Sequence, residues 1–293
     1  MRVNLPKPGV YLVAVSGGVD SVSLLHRLVK GGQYKLVVAH FDHGIRPNSD
    51  QDRRFVKSLA SSYGLDFVSA KGRLGAGASE AAARAARYRF LRAAAQANGA
   101  SAIIMAHHRD DRLETLIINL IRGSGRRGMT AMADTLLIKR PLLEVTKAEI
   151  RQYADQHNLS WREDSTNSDD RYLRNYIRHN ILTRMSDSDK NRLIELIDRQ
   201  AVVNRQLDDI IGSLVHNDTR LDRRVLRAAG FNESKELIAY WLRANNLVNF
   251  DRKTIERLTL AAKTKRPGTK LDVYNHASIL IDKQFLALTT SER

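Results

Sequence analysis

Residues 16–21 read Ser16-Gly17-Gly18-Val19-Asp20-Ser21, directly after an apolar run (10–15) and directly before an amphipathic stretch (22–29). A strand, a glycine-rich turn and a helix in that order bring several backbone N–H groups to a helix N-terminus, where they can seat phosphates. The small residues permit close approach, and the hydroxyls of Ser16 and Ser21 add donors. The loop lacks the Gly-Lys-Ser/Thr ending of a Walker A sequence, which disfavours an ordinary P-loop nucleotidase.

Three further apolar runs, 36–40, 66–70 and 101–107, alternate with helical patterns at 50–63 and in the Ala-rich stretch 79–97. This rhythm predicts an α/β fold with a doubly wound, mostly parallel sheet and right-handed crossovers. Ligands of such sheets sit beyond the carboxyl ends of the strands. The unusual residues gather there: 16–21 after the first run, 40–47 after the second and 107–114 after the fourth. Downstream, Gly123-Ser124-Gly125-Arg126-Arg127-Gly128 is a glycine-rich basic loop, and Thr146-Lys147-Ala148-Glu149 matches a capping box opening a helix through His157. Residues 187–215 read as helical. Helices around 221–229, 233–244 and 251–262 then precede an alternating stretch, 270–288, which reads as a hairpin turning at Asn275-His276. The expected organisation is a main domain over 1–185, a helical linker over 186–216 and a smaller α+β domain over 217–293.

The 293 residues contain no cysteine, which excludes disulfides, zinc–thiolate sites, iron–sulfur clusters and cysteine nucleophiles within them. No run of about 18 apolar residues is present, and the first residues lack an apolar signal region. The expected location is the cytoplasm, with no membrane contact. A net charge of +16 points to a polyanionic partner. Residues 1–150 carry 23 Lys and Arg against 12 Asp and Glu, while 151–293 carry 25 against 20, so the excess gathers on the half that holds the phosphate loop.

The stretch from His107 and His108 to Glu114 closes the fourth run and opens a helix with Leu113, Leu116, Ile117 and Leu120 as its predicted buried stripe. Asp111 and Glu114, three apart, have the spacing at which two carboxylates converge on one hard cation. Acids in a first helical turn also complement the helix dipole, but two histidines beside them favour a site. Adjacent strand residues point opposite ways, so His107 and His108 are not expected to pair on zinc. On the Ala-rich helix, Glu80, Arg84 and Arg87 share a face, with Arg87 toward the sheet's active end. Glu80 and Arg84 alone would be an ordinary exposed pair, whereas an arginine fork suits an anionic or carbonyl-bearing ligand.

Residues 16–21 resemble the pyrophosphate loop, SGGxDS, of the N-type ATP pyrophosphatases (the PP-loop superfamily). The resemblance sharpens with the motifs that follow in order. These are His40-Phe41-Asp42-His43-Gly44-Ile45-Arg46, Glu80 with Ala83-Arg84 and Arg87-Tyr88-Arg89-Phe90, and His107-His108 through Glu114-Thr115. Then come Arg122-Gly123-Ser124-Gly125, Arg140-Pro141-Leu142-Leu143, Asp164-Ser165-Thr166-Asn167 and Arg174-Asn175-Tyr176-Ile177-Arg178. Together, to about residue 185, they resemble the tRNA(Ile)-lysidine synthases.

That resemblance implies a carbon–nitrogen ligase. ATP adenylates the C2 oxygen of the wobble cytidine in a CAU-anticodon tRNA(Ile), and the amine of free L-lysine displaces AMP, leaving lysidine. It implies that Ser16, Gly17, Gly18, Val19, Asp20 and Ser21, with Ala39 and His40, bind ATP. Asp20, Asp111 and Glu114 would hold Mg²⁺, and the catalytic set would be Asp20, Arg87, Asp111 and Arg174. In that set Arg87 contacts the cytidine carbonyl and Arg174 the substrate phosphates or the base. Asp42, His43, Arg84, His107, His108 and Arg178 would face the substrates. The basic residues Lys263, Lys265, Arg266 and Lys270, on the approach to the terminal hairpin, lead to the expectation that 217–293 binds tRNA, and a homodimer is allowed.

Arg112 stands where these enzymes usually have glutamine, and Thr183 where a proline commonly follows. A chain ending after the 270–288 hairpin is expected to be a shorter form. A tRNA thiolase would need the cysteines that are missing, and a small-molecule adenylating synthetase would not explain the charge on 1–150. A non-catalytic RNA-binding module would leave Asp20, Asp111 and Glu114 without use.

Overall fold

The apolar runs become the strands of one sheet in a computed structural model, which describes residues 1–293 except 2, 5, 43, 45–48, 73–79, 131, 164–168, 216–218, 248–249, 275–276 and 291–293. His43, Asp164-Ser165-Thr166-Asn167 and the turn Asn275-His276 therefore lie outside the described residues, as does the side chain of Glu80. The chain divides into two compact units, Met1–Gln200 and Ala201–Arg293.

In the first unit, β1 (Gly9–Ala14), α1 (Val19–Gly31), β2 (Tyr34–Asp42), α2 (Ser49–Ser62), β3 (Asp66–Lys71), α3 (Glu80–Ala97), β4 (Ala102–Ile104), α4 (Arg109–Ile121), β5 (Ile138–Lys139) and α5 (Lys147–Gln156) follow one another. The strand order is β3-β2-β1-β4-β5, with every neighbouring pair parallel. Period-2 alternation sends Val13, Val15, Leu36, Val38 and Ile104 to one core, with Leu24, Leu25 and Leu28 of α1, Val56 of α2 and Ile150 of α5. Leu12, Val37, Ala39 and Ile103 face the other way, against Leu91 and Ala95 of α3. Helices cover both faces, as the near-continuous Val/Ile/Leu runs require of a parallel sheet. The chain moves outward from β1 through β2 to β3, then returns to β4 on the other side of β1. The crevice between the carboxyl ends of β1 and β4 is therefore the topological switch point, where ligands of open α/β sheets bind.

Two expectations shift. The ladder of β4 is shorter than the run 101–107, and beyond it Met105 N–H donates to Lys139 O while His108 makes a single parallel bridge to Leu142. On α4, Leu113 and Leu116 are buried and Ile117 partly so, but Leu120 is 51% exposed, while Arg112 and Glu114 are buried instead. Leu113 and Leu116 pack on Ile177, Leu182, Ile194 and Ile197, from the segment with α6 (Leu173–Tyr176), a π-helical turn (Ile177–Ile181) and the start of α7 (Asp187–Val215). Arg112 reaches across to Glu144, at 2.7 Å, and to Asp198 on α7.

The second unit holds the end of α7, then β6 (Arg220–Asp222), α8 (Arg223–Ala228), α9 (Phe231–Ala244), α10 (Arg252–Thr264), β7 (Thr269–Tyr274), β8 (Ala277–Ile281) and β9 (Phe285–Thr290). The expected terminal hairpin is part of a four-stranded antiparallel sheet, β6-β9-β8-β7. Its pairing of β6 with β9 joins residues too far apart in sequence for local alternation to reveal. Trp241, Leu242, Ile238, Leu226 and Ile279 form the core. Arg223, 1% exposed, spends its guanidinium on backbone carbonyls: Ala262 at 2.7 Å, Asp282 at 3.0 Å, and Lys265. Arg223→Met leaves those acceptors without donors, at about 1–3 kcal/mol for each buried group. Denaturant unfolding of the full chain should show a loss of about 3 kcal/mol or more. Arg223→Lys should recover only part of it, since an ammonium cannot reproduce the fork.

Lys263, expected to meet tRNA, is engaged within the unit. Its ammonium donates to the carbonyls of Leu226 and Ala229 at the end of α8, where a cation satisfies orphan acceptors. It is a cap within the unit, whereas Lys265 and Arg266 are exposed.

Candidate active site

The loop after β1 folds because Gly17 takes φ +100°, a region a side chain would strain, and a Cβ there would meet Phe55 and Val56. Gly18 caps α1, and its N–H donates to Ser16 Oγ at 3.3 Å. The N–H groups of Ser16 and Gly17 point at Ser21 Oγ (3.2 and 3.3 Å), which in turn donates to Gly18 O at 2.9 Å. The serine hydroxyl thus holds together the donors that a phosphate would engage. On β2, Ala39 O accepts Val15 N–H at 2.9 Å, and His40 donates from Nδ1 to Val15 O at 2.9 Å. Both residues therefore brace the base of the loop. Asp42 is buried at the end of β2, and its Oδ1 accepts Gly44 N–H at 2.7 Å to close a turn.

Asp20, in the first turn of α1, is held by Lys147 of α5, whose Nζ lies 2.6 and 2.7 Å from the two carboxylate oxygens. From α4, His108 Nε2 lies 3.9 Å from Asp20 and 3.5 Å from Asp111, so one imidazole stands between the two acids. Asp111 accepts His108 N–H at 2.9 Å, capping α4. Burial opposes its ionisation, but His108, His107 and that N–H together hold its carboxyl below the ordinary value. Its contribution to stability is thus present above the unfolded value and lost as pH falls through the depressed one.

Glu114, fully buried, belongs to a different cluster. Arg178 donates to its two oxygens at 2.6 and 3.1 Å, and Arg174 Nε lies 3.0 Å from Oε2. Burial pushes its carboxyl up, against the pull of Arg178. Arg174 also donates to Thr115 Oγ1 at 2.7 Å, and Arg178 reaches Asp111 at 3.8 Å, which ties the two clusters together. The π-helical turn Ile177–Ile181 carries Arg178. Such local widening of a helix is frequent at functional sites.

Glu114, expected from its spacing to Asp111 as a third cation ligand, here turns its carboxylate to guanidinium groups. Both its oxygens are taken by guanidinium groups, and no three His, Cys, Asp or Glu side chains among the described residues gather closely enough to hold a metal ion. Asp20, whose oxygens face the Lys147 ammonium, and Asp111 would be the two hard oxygen donors on this crevice. That set suits Mg²⁺, which binds through one or two carboxylates plus phosphates and keeps several waters.

At the end of β4, Arg140 donates from Nε to His107 Nδ1 at 3.2 Å. Burial, followed by the nearby arginines 140, 87 and 84, lowers the His107 pKa to about 3 against the opposing pull of Asp111. On α3, Arg84 donates to Tyr88 Oη at 3.2 Å and stacks 4.9 Å from its ring centroid, with Arg87 at 5.8 Å from the same ring. The crevice therefore joins a phosphate loop, two carboxylates and several guanidinium groups. Lys147 and Arg140 were missing from the expected set. Lys147 was hidden inside the capping box, where Thr146 and Glu149 do the capping, and Arg140 inside an apolar Pro-Leu-Leu motif.

Residues 3–185 match the family model described as a PP-loop domain, a span that includes every one of these side chains. The chain belongs to the PP-loop family. Within it, this PP-loop chain is similar to proteins named tRNA(Ile)-lysidine synthase. One from Solibacter usitatus is 39% identical over 188 residues, covering 63% of this chain and 43% of the relative. Another, from Burkholderia mallei, is 32% identical over 262 residues, covering 83% and 54%. The chain spans about half the length of the curated relatives it matches. Among solved structures, the U34-tRNA thiolase NcsA from Methanococcus maripaludis with its [4Fe-4S] cluster matches at TM-score 0.53 and 15% identity, over 67% of this chain and 73% of that one. That likeness concerns the PP-loop fold alone. No helix among the described residues is long and apolar enough to cross a membrane.

Proposed function

We propose that this chain is an ATP-dependent ligase that joins free L-lysine to C2 of the wobble cytidine in a CAU-anticodon tRNA(Ile). The observation that carries the reading is the 39% identity to a protein named tRNA(Ile)-lysidine synthase, on a chain that belongs to the PP-loop family. In the first step the cytidine C2 oxygen attacks the α-phosphorus of ATP, and pyrophosphate leaves. In the second, the lysine amine attacks C2, AMP departs with that oxygen, and the amine loses a proton. The loop N–H groups and the Ser16 and Ser21 hydroxyls would receive the leaving pyrophosphate. Asp20 and Asp111 would hold Mg²⁺, which when bound neutralises charge on the phosphates. Arg87 and Arg84 suit the base or its phosphates. Arg174 and Arg178, held by Glu114, would supply further positive charge to the substrates. The cytoplasm, where free tRNA, ATP and lysine meet, is the expected compartment.

A pyrophosphate-exchange and AMP-release assay tests this reading, run with each of tRNA and lysine present or absent. AMP release that needs both supports it; release with lysine alone, or ADP as the product, would overturn it.

The second unit is assigned to tRNA binding. Reversing the charge of Lys265, Arg266 and Lys270 together should raise the KM for tRNA and flatten its salt dependence, because phosphate contacts release counterions. The KM values for ATP and lysine should stay within about twofold, since those sites lie on the first unit. Unaltered tRNA binding across a salt titration would remove the assignment.

A further inference from the structure

We infer that Arg140 is a positioning residue that locks His107 as the Nε2–H tautomer, so that His107 serves the reaction as a fixed hydrogen-bond donor and not as its base. The inference rests on the function proposed above and deepens it.

A guanidinium has five N–H groups, no acceptor, and no accessible deprotonated form. The ring nitrogen facing it must therefore offer a lone pair. Arg140 Nε donates to His107 Nδ1 at 3.2 Å, which leaves the ring's single proton on Nε2. Arg140 is itself fixed. It is buried, its Nη1 donates to Ala133 O at 2.7 Å, and its backbone N–H donates to Asp134 Oδ1 at 2.9 Å. The ring sits at the carboxyl end of β4, among the charges of Asp111, Arg87 and Arg84. With Nδ1 occupied and Nε2 protonated, His107 has no lone pair left to take a proton from the lysine amine. What it can offer a ligand is one N–H, suited to a carbonyl oxygen, a ring nitrogen or a phosphate oxygen. Its neighbour His108 stands between two carboxylates and is a different kind of group. The adjacent histidines thus divide their roles, one reading an acceptor on the ligand, the other bridging acids.

Two independent readouts test the inference. Long-range ¹H–¹⁵N spectra of the full chain should show His107 protonated at Nε2 in the wild type, and a mixture of tautomers in Arg140→Met. Asp134→Ala breaks the same turn without touching His107. It should lower the melting temperature as Arg140→Met does, yet keep the single tautomer. In AMP release, His107→Gln places an amide near the Nε2 position and should stay within about tenfold of wild type. His107→Asn mimics the Nδ1 position and should lose about 100-fold, the usual cost of a missing donor to a developing charge. Arg140→Met should lower kcat with little change in the KM for ATP.

A wild-type His107 protonated at Nδ1 would overturn the lock whatever the chain's activity. A single Nε2–H tautomer with Gln and Asn variants equally inactive would overturn the donor role and return His107 to the candidates for the base. If wild type releases no AMP with tRNA and lysine, the proposed function fails while the tautomer measurement still stands.

Discussion

Asp20→Asn is expected to abolish tRNA-dependent AMP formation, by about 100-fold or more, with the chain still folded. The carboxylate starts α1 inside the phosphate loop, and its oxygens lie 2.6 and 2.7 Å from Lys147 Nζ. A neutral amide keeps the shape but is a poorer ligand for a hard divalent cation. It also leaves Lys147 with half a partner. Both side chains reach solvent, so the loss of this pair should cost little stability. The comparison to make is single-turnover AMP release against melting temperature. Near-wild-type release from Asp20→Asn would remove the assignment of this loop to ATP chemistry.

Glu114→Ala should damage both stability and activity. The carboxylate is fully buried and orients Arg174 and Arg178. Removing one member of such a cluster strands the others, with a cost of about 3 kcal/mol, at the low end for buried pairs because both arginines retain some exposure. The freed guanidinium groups lose their aim at the crevice, so kcat should fall further than the folded fraction accounts for. Glu114→Gln, which keeps two polar atoms in place, should recover stability more than rate. Were Glu114→Ala to melt early yet turn over normally once folded, Arg174 and Arg178 would be structural and not part of the site.

The parallel sheet was legible because its strands are buried on both faces. Val and Leu at 10–15 and 36–40 cannot be read as anything but core. The loop 16–21 was legible because glycine, serine and aspartate between a strand and a helix have few other uses. Other features depend on partners distant in sequence. β5 has two residues, Ile138 and Lys139, too few to show a period. Glu114, expected as a cation ligand, and Arg112, noted only as a departure from glutamine, are made interior by the arginines at 174 and 178 and the acids at 144 and 198. Lys263 looked like part of a basic run and is an internal cap on α8. In each case the deciding partner arrives from another element, information that local periodicity does not contain.

In the proposed reaction the cytidine C2 oxygen becomes part of AMP. This is tested most directly with a tRNA(Ile) whose wobble cytidine carries ¹⁸O at C2, incubated with the chain, ATP and lysine. The account predicts that AMP acquires the label at its phosphate while the nucleoside loses it on gaining lysine. Unlabelled AMP, with the heavy oxygen retained in the tRNA, would contradict it.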